Sequence, residues 1–350
     1  MPIQSPYGTS ETIRGVRWLT APALYPRSHG DVWSCAWADD GEIYAAADDT
    51  RGIADDCDSN LAIFRVSGTP PDHTVTQVNP MAEYGRIGQR EGQDTWKANG
   101  MTCVDGVLYL SVSQHSSAGD YPDKIQRVYD ATIVESEDHG RTWSSKPPAG
   151  RAMFPGLRFA TPFFVQFGQD YGGCFDDHVY AVSNSATWNN GNHMVLGRVR
   201  RDRIGRLDPA DWEFFASADA QDNPSWTPEL VRKPTAVFKF RGFTSMAGIQ
   251  YVPAFDRFVL AQWAYTDLDG ARPWRRTMLH LYEAPRPWGP WRHVHTEPDW
   301  GHAYYNPSLP AKWFEDGGRR GWMTAAGNFS REPDAPFSYG FVVQKLELVG

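Results

Sequence analysis

Short runs of apolar residues recur along the whole chain, and clusters of Gly, Pro, Asn and Asp separate them. The runs are rich in Val, Ile, Phe, Tyr and Trp, which is typical of β-strands between turns. Long stretches with helical periodicity are almost absent. The pattern therefore predicts an all-β protein.

A similar unit occurs five times along the chain. Each unit begins with an apolar segment, turns into a second strand, and ends with a further strand pair. Repeats of this kind are typical of β-propellers, in which radial repetition leaves only short edges. We therefore predict a single five-bladed β-propeller domain over residues 1–350, with blades at about 28–68, 93–145, 158–215, 240–295 and 300–348. Segment 11–27 is expected to close the ring against the last blade. A large β-sandwich, or two smaller β domains, is the alternative.

Composition and charge narrow the classes of partner. Hydrophobic residues make up 41% of the chain and charged residues 22%, as in globular proteins. A net charge of −8 without a long basic run argues against nucleic acid as a partner. The N-terminus has no charged segment followed by an apolar one, and no long apolar stretch predicts a membrane span. We expect a cytoplasmic protein as the sequence stands, or a secreted one if a leader has been removed.

Two acidic residues of the first unit are the candidate catalytic pair. Asp31 opens the inner strand, and residues 39–41 are a strong hairpin signal. A three-residue turn would place Asp31 opposite Asp49, and a two-residue turn would place it opposite Thr50. Two carboxylates at one mouth suit glycoside hydrolysis, with one as acid and the other as base or nucleophile. Asp48 competes with Asp49, because a shift of one residue reverses the side-chain direction. Turn capping or cation binding is the alternative role.

Other units carry polar and aromatic residues that suit a sugar ligand. They stand in or near the predicted inner strands, and their shared position in the repeat favours a common site. The polar candidates for substrate binding are Lys97, Asn99, Gln166, Asp170, Ser245, His302, Tyr305 and Asn306. The candidates for stacking on sugar rings are Trp33, Trp96 and Trp263. For each residue taken alone, a structural role is the alternative.

Residues 136–143 match the Asp-box, S-x-D-x-G-x-T-W, of sialidase-type propellers. This resemblance implies that Asp138 and Thr142 hold a hairpin turn while Trp143 packs between strands. It says nothing about catalysis. Only one full copy occurs, and the sialidase FRIP-type segment and arginine triad are not found, so a sialidase is disfavoured.

Several separated motifs resemble a family of bacterial β-propellers, long of unknown function, that includes endo-D-arabinanases. The motifs are Gly30-Asp31-x-Trp33-x-x-x-Trp37-Ala38-Asp39-Asp40-Gly41-x-x-Tyr44, then Asp49, then residues 163–168, and then Tyr282-Glu283-Ala284-Pro285-x-Pro287-Trp288-Gly289-Pro290-Trp291. The resemblance implies an enzyme that cuts D-arabinofuranosyl linkages with the acids of the first blade. The chain departs from the family pattern at the end of the second strand, where Asp48-Asp49-Thr50 stands in place of an expected Gly-Asp-Gly and an acidic insertion through Asp55, Asp56 and Asp58 follows.

We therefore predict a glycoside hydrolase whose partner is an oligosaccharide or polysaccharide that contains furanosides, similar to D-arabinan. One alternative is a polysaccharide lyase, in which His302, Tyr305 and Lys97 serve as base and as the cation for a uronate. Another is a carbohydrate-binding propeller without turnover. No cofactor is expected. Asp55, Asp56 and Asp58 are a possible Ca²⁺ site, although a solvated acidic loop is the favoured interpretation.

Overall fold

The structure is a computed structural model, and it describes residues 3–90, 94–116, 123–146, 151–184, 186–228, 235–270, 272–328 and 337–350. Strands dominate these residues, and the helices among them are short 3₁₀ helices. The all-β prediction is therefore confirmed. None of the helices in the described ranges is long and apolar enough to cross a membrane.

The strands are numbered in chain order. The first eleven are β1 (Gly15–Trp18), β2 (Ala23–Leu24), β3 (Ser28–Trp37), β4 (Ile43–Ile53), β5 (Ser59–Ser67), β6 (Thr74–Asn79), β7 (Asp94–Val104), β8 (Val107–Ser116), β9 (Val128–Ser136), β10 (Pro162–Gln166) and β11 (His178–Ser183). The remainder are β12 (Gly191–Arg200), β13 (Trp212–Ala218), β14 (Pro224–Thr227), β15 (Ala236–Thr244), β16 (Ile249–Val252), β17 (Arg257–Tyr265), β18 (Thr277–Ala284), β19 (Arg292–Glu297), β20 (Tyr305–Ser308), β21 (Arg320–Ala326) and β22 (Phe341–Val349). The 3₁₀ helices are Ala82–Tyr84, Gln169–Tyr171, Arg201–Arg206, Pro209–Asp211, Pro253–Phe255, Ala311–Trp313 and Asp316–Gly318.

The strands form successive, mainly antiparallel sheets. β3–β6 make a four-stranded sheet and β7–β9 a three-stranded sheet. A ten-stranded sheet contains β10–β15 and β16–β19, which a short parallel pairing of β10 with β16 connects. β20–β22 form the last sheet together with β1 and β2, both of which pair with β22. The segment 11–27 therefore joins the last strand of the chain, as predicted.

The first strands of the successive groups of antiparallel strands contact one another. β3 contacts β7, β7 contacts β10, β10 contacts β16, and β20 contacts both β17 and β3. This contact order is typical of the inner strands of a β-propeller. A cavity of about 40 Å³ lies between these strands, lined in part by Cys35, Met101, Phe164, Ile249 and Leu309. It has room for only a few water molecules.

Candidate functional site

The turn of the first hairpin has three residues, one of the two lengths expected from the sequence. The N–H of Ala38 donates to the carbonyl of Glu42 at 2.9 Å, and the N–H of Gly41 donates to Ala38 at 3.0 Å. Gly41 has a φ of +83°, a conformation that favours glycine. A regular ladder from this turn would place Asp31 opposite Asp49.

A β-bulge moves this register by one residue. Residues 32 and 34 of β3 pair with the neighbouring residues 47 and 46 of β4, so Trp33 has no counterpart on β4. Asp31 consequently pairs with Asp48. The predicted registers, with Asp31 opposite Asp49 or Thr50, are wrong because the turn alone does not reveal an extra residue farther along the strand.

Asp49 lies in a second irregularity of the same hairpin. His29 pairs with Gly52 while Asp31 pairs with Asp48, so β4 has extra residues at this point. Asp49 has a φ of +41°, in the left-handed region. A bulge re-aims the side chains next to it. As a result, the side chains of both Asp48 and Asp49 reach groups of β7 in the neighbouring sheet.

The two adjacent carboxylates contact consecutive residues of β7. Both carboxylate oxygens of Asp48 accept the N–H of Ala98, at 2.9 and 3.1 Å. Oδ1 of Asp49 forms an ion pair with Nζ of Lys97. Asp48 is buried and Asp49 is partly exposed. Asp48 therefore joins β4 to β7, while the more accessible Asp49 carries the contact with the cation.

Asp31 lies where the first sheet meets the last one. Its Oδ2 accepts a hydrogen bond from the hydroxyl of Tyr305 at 3.3 Å, and the hydroxyl of Tyr339 also donates to it. Its Oδ1 is buried without a hydrogen-bond partner among the residues that the structure describes. We call Asp31, Asp48, Asp49 and Lys97 together the acid mouth.

The charged groups of the acid mouth shift one another's protonation. Burial and, after it, the charge of Asp49 raise the pKa of Asp31 to about 7, against the opposing effects of Lys97 and of the hydrogen bonds from Tyr339 and Tyr305. Burial also raises the pKa of Asp48, again against Lys97. Burial lowers the pKa of Lys97, but the three carboxylates reverse this effect and leave it raised. Near neutral pH, Lys97 is therefore charged and Asp31 is protonated in a large fraction of molecules.

Sequence reasoning missed two titratable side chains beside the acid mouth, His115 and Tyr265. Burial, followed by the charge of Lys97, lowers the pKa of His115 to about 3. Burial, followed by the charge of Asp31, raises the pKa of Tyr265. Nε2 of His115 and the hydroxyl of Tyr265 have no hydrogen-bond partner within the described ranges. Both side chains are therefore neutral at physiological pH and have unused hydrogen-bonding capacity.

The three tryptophans predicted to stack on sugar rings are buried. Trp33 and Trp263 are 0% exposed and Trp96 is 3% exposed. The indole N–H of Trp33 donates to the carbonyl of Gly30 at 2.9 Å, and that of Trp263 donates to Met246 at 3.0 Å. These side chains pack in the core and have no free face for a sugar ring in this structure.

Three of the polar candidates make hydrogen bonds inside the fold. The amide of Asn99 donates to the hydroxyl of Ser113 at 3.0 Å. The amide of Gln166 donates to the carbonyl of Met101 at 2.8 Å and lines the central cavity. The hydroxyl of Ser245 is buried and accepts a backbone N–H at 3.1 Å. These contacts stabilise inner strands and their connections, and none of the three is with a residue of the acid mouth.

The remaining polar candidates lie in different surroundings. Asp170 accepts the N–H of Gly106 at 2.9 Å, at the end of the hairpin opposite to Lys97. His302 is exposed beside the ring of Tyr304. Asn306 is 2% exposed, and neither of its amide atoms has a partner in the described part of the chain.

The structure thus brings only part of the predicted set together. Asp31, Asp49, Lys97 and Tyr305 lie at one end of the inner strands, and Asn306 follows Tyr305 in β20. Asp170 lies at the other end. The site that these contacts define is the acid mouth, at the junction of the first, second and last sheets.

Residues 136–143 form a compact turn. The carboxylate of Asp138 accepts the hydroxyl of Ser136 at 2.9 Å and the N–H and hydroxyl of Thr142 at 2.8 and 2.7 Å. The indole of Trp143 donates to the carbonyl of Gly140 at 3.0 Å. These residues satisfy one another's hydrogen bonds and therefore hold the chain locally.

The acidic insertion after Asp49 uses its carboxylates in hydrogen bonds. Asp58 accepts two bonds from the guanidinium of Arg86, at 2.8 and 2.6 Å. Asp56 accepts the N–H of Ile53 at 2.9 Å. In the described residues, this insertion does not gather into a set of metal ligands.

Another group of potential ligand atoms does come together, in Asp39, Asp40 and His139. Asp39 and Asp40 are exposed, and Nε2 of His139 is hydrogen bonded to Asp39 at 2.8 Å. Asp40 also accepts the hydroxyl of Tyr44 at 2.8 Å. The cluster links two neighbouring sheets through these bonds.

Comparisons with known proteins address the fold. No protein-family model matches this sequence, and no curated protein matches it. A proposed hydrolase from Bacteroides ovatus ATCC 8483 has a TM-score of 0.55 at 14% sequence identity, with 93% of this chain and 87% of that chain covered. Xylan beta-1,4-xylosidase from Bacillus halodurans C-125 has a TM-score of 0.50 at 12% identity, with 92% of this chain and 53% of that chain covered. At these identities, the likeness shows a shared fold.

Proposed function

We propose that this protein is a glycoside hydrolase built on a five-bladed β-propeller. The blade count treats the ten-stranded sheet as two blades, because only two residue pairs join β10 to β16, and they are parallel. Within each of the two sets, by contrast, the strands pair in antiparallel order. The contacts among the first strands support the same count.

One observation carries the proposed activity: two carboxyl groups of the acid mouth lie in opposite environments. Asp31 is a carboxyl with a raised pKa of about 7, which suits the general acid that protonates the leaving oxygen. Asp49 is partly exposed and paired with Lys97, which suits the ionised base or nucleophile. Glycoside hydrolysis requires these two protonation states at one pH. Retention and inversion are both compatible with the contacts described here.

The proposed substrate is a furanoside-containing glycan similar to D-arabinan. The motifs over residues 30–44, 163–168 and 282–291 support this proposal through their resemblance to a family that includes endo-D-arabinanases. The likeness in fold to a xylan xylosidase also supports a carbohydrate substrate. A lyase acting on a uronate is disfavoured, because the acid mouth would repel a substrate carboxylate and Lys97 is already paired with Asp49.

The test is turnover of defined glycans. D-arabinan, a panel of furanosides and uronate polymers are incubated with the purified protein, with the variants Asp31→Asn and Asp49→Asn, and with Asp58→Asn as a control. We expect reducing ends from a furanoside, and a loss of about 10²- to 10⁴-fold in kcat for each of the first two variants. The control should retain activity, because Asp58 is exposed and paired with Arg86.

Two other outcomes would contradict the proposal. An ultraviolet-absorbing, unsaturated product from a uronate polymer would indicate a lyase. Glycan binding that survives both substitutions, with no product from the parent protein, would indicate a carbohydrate-binding propeller without turnover.

A further inference from the structure

Lys97 is the cation of the acid mouth, and charged groups of the first sheet surround it. The residue is 8% exposed. Its Nζ forms the ion pair with Asp49, and its charge also acts on Asp48 and Asp31. Among the residues that the structure describes, Lys97 is the basic side chain whose charge lowers the pKa of both Asp31 and Asp48. One ammonium group therefore serves three carboxylates.

The backbone next to Lys97 is fixed to the first sheet. The N–H of the following residue, Ala98, donates to both carboxylate oxygens of Asp48. On its other side, β7 pairs with β8, where Lys97 lies opposite Ser113. A lysine side chain is usually flexible, but here both its strand and its ammonium group are held. The ion pair with Asp49 directs Nζ toward the first sheet.

We infer that Lys97 is a positioning residue that holds Asp49 in place and limits the negative charge around Asp31, rather than a ligand of the glycan. The inference rests on the proposed function. An ammonium group in contact with a carboxylate favours its charged form. With three carboxylates and one ammonium group, the fully ionised acid mouth has a surplus of negative charge. Asp31 is buried and lacks the ion pair, and the charge of Asp49 adds to the effect of burial in raising its pKa.

The other titratable groups facing this cluster do not supply a competing charge near neutral pH. They are His115 on β8, Tyr265 on β17, Tyr305 on β20, and Tyr339 before β22. Burial lowers the pKa of His115 and raises the pKa values of the three tyrosines, so all four are uncharged. Lys97 is therefore the group whose removal should change the ionisation of Asp31.

The first test is the pH dependence of kcat/KM for Lys97→Gln, on the glycan that the parent protein hydrolyses. Loss of this positive charge makes Asp31 harder to ionise, so the limb of the profile that Asp31 sets should move to higher pH, by roughly 1 to 3 units. We expect kcat to fall at the parent optimum with little change in KM. Lys97→Arg keeps the charge and should keep the profile near that of the parent.

Lys312→Gln is the matched control, because Lys312 is also poorly exposed and paired with a carboxylate, that of Glu42. Its profile should not move. A rise in KM for Lys97→Gln, with both limbs unmoved, would identify Lys97 as a substrate ligand and overturn the inference.

A second measurement does not need turnover, and its comparison of the parent with Asp49→Asn does not need the Lys97→Gln variant to fold. Carbon-13 NMR follows the carboxyl carbon of Asp31 during pH titration of the parent, Lys97→Gln and Asp49→Asn proteins. The pKa of Asp31 should rise without Lys97 and fall without Asp49, because the first charge lowers it and the second raises it. An unchanged titration in Asp49→Asn would show that the cluster is not coupled and would overturn the inference. If both shifts occur but no glycan is hydrolysed, the proposed function fails while the assignment of Lys97 as the positioning charge stands.

Discussion

Asp31 and Asp49 carry the same carboxyl group in different surroundings. Asp31 is enclosed by tyrosines from the last sheet, and the resulting loss of hydration favours its neutral form. Asp49 is partly exposed and touches the ammonium group of Lys97. The proposed division of roles between acid and base therefore rests on neighbouring residues rather than on the two side chains themselves.

The raised pKa of Asp31 predicts how stability changes with pH. The folded protein binds this proton more tightly than the unfolded chain, whose value is near 3.8. The contribution of Asp31 to stability is therefore complete below about pH 4 and is lost as pH rises through about 7. The free energy of unfolding of Asp31→Asn minus that of the parent should therefore increase by about 1 kcal/mol or more between pH 4 and pH 8. Urea unfolding at both pH values measures this difference.

Asp58→Asn is the control for this measurement and should show the opposite sign. The guanidinium of Arg86 lowers the pKa of Asp58, so its contribution is present at neutral pH and is lost as the pH falls. If the difference in stability between Asp31→Asn and the parent does not change with pH, the proton on Asp31 is bound no more tightly in the folded state. The role of Asp31 as the general acid would then lose its support.

At the scale of elements, two irregularities in the first hairpin decide which acids reach the acid mouth. The bulge at Trp33 brings Asp48 opposite Asp31. Asp49 has a left-handed backbone conformation, so its side chain does not follow the alternation of a regular strand. The second hairpin has a register shift of its own between Ala98 and Met101. Bulges of this kind are common next to active sites, where they re-aim side chains.

Gly30 provides a test of the hairpin geometry. It has a φ of +130°, and a Cβ atom there would lie 2.7 Å from Cβ of Thr50 and 2.9 Å from the carbonyl oxygen of Asp48. Gly30→Ala should therefore cost about 1 to 3 kcal/mol of unfolding free energy and push β3 away from β4 beside Asp31. We also expect activity to fall at temperatures where the variant is still folded. Denaturant unfolding and kcat on the same preparation measure the two effects.

Gly15→Ala is the matched control for this substitution. Gly15 lies in β1, and a Cβ atom there would meet nothing within 4 Å. Its stability and activity should remain near those of the parent. Equal losses in the two variants would mean that the close approach at Gly30 does not hold the hairpin.

At the scale of the whole molecule, residues distant in sequence complete both the last sheet and the site. β1 pairs with β22 over four residue pairs, from Gly15 with Val349 to Trp18 with Leu346. The acid mouth similarly combines the first two sheets, and Tyr305 and Tyr339 come from the end of the chain. Stability and ionisation of the site therefore depend on how the sheets are assembled.

Removal of residues 1–20 tests this dependence. The truncation deletes β1 and leaves one edge of β22 unpaired where β1 had covered it, and unpaired edges promote association between chains. We expect a lower melting temperature and aggregation on heating, measured by calorimetry and light scattering. Removal of residues 1–4, which leaves β1 intact, should have a much smaller effect. Equal behaviour of the two truncations would show that β1 does not stabilise the last sheet.

The sequence by itself determined the features that depend on neighbouring residues. The strand content follows from local alternation and from β-branched and aromatic residues, and the turn at residues 39–41 follows from the conformational freedom of Gly41. Counting residues outward from this turn also placed Asp31, Asp48 and Asp49 at one end of the first hairpin. The same counting from the turn at residues 105–106 would have placed His115 near Lys97, since β7 and β8 pair along their whole length.

Only the tertiary structure decided the bulge at Trp33, the direction of Asp49 and the contact between Asp49 and Lys97. These features depend on packing between sheets. An extra residue in a strand disrupts the local hydrogen bonds, and contacts with residues far away in sequence decide whether that arrangement is stable. The same reason explains why Trp33, Trp96 and Trp263 were expected beside a sugar but lie in the core. A large aromatic side chain has the same local signal in either place, and burial depends on which sheet packs against it.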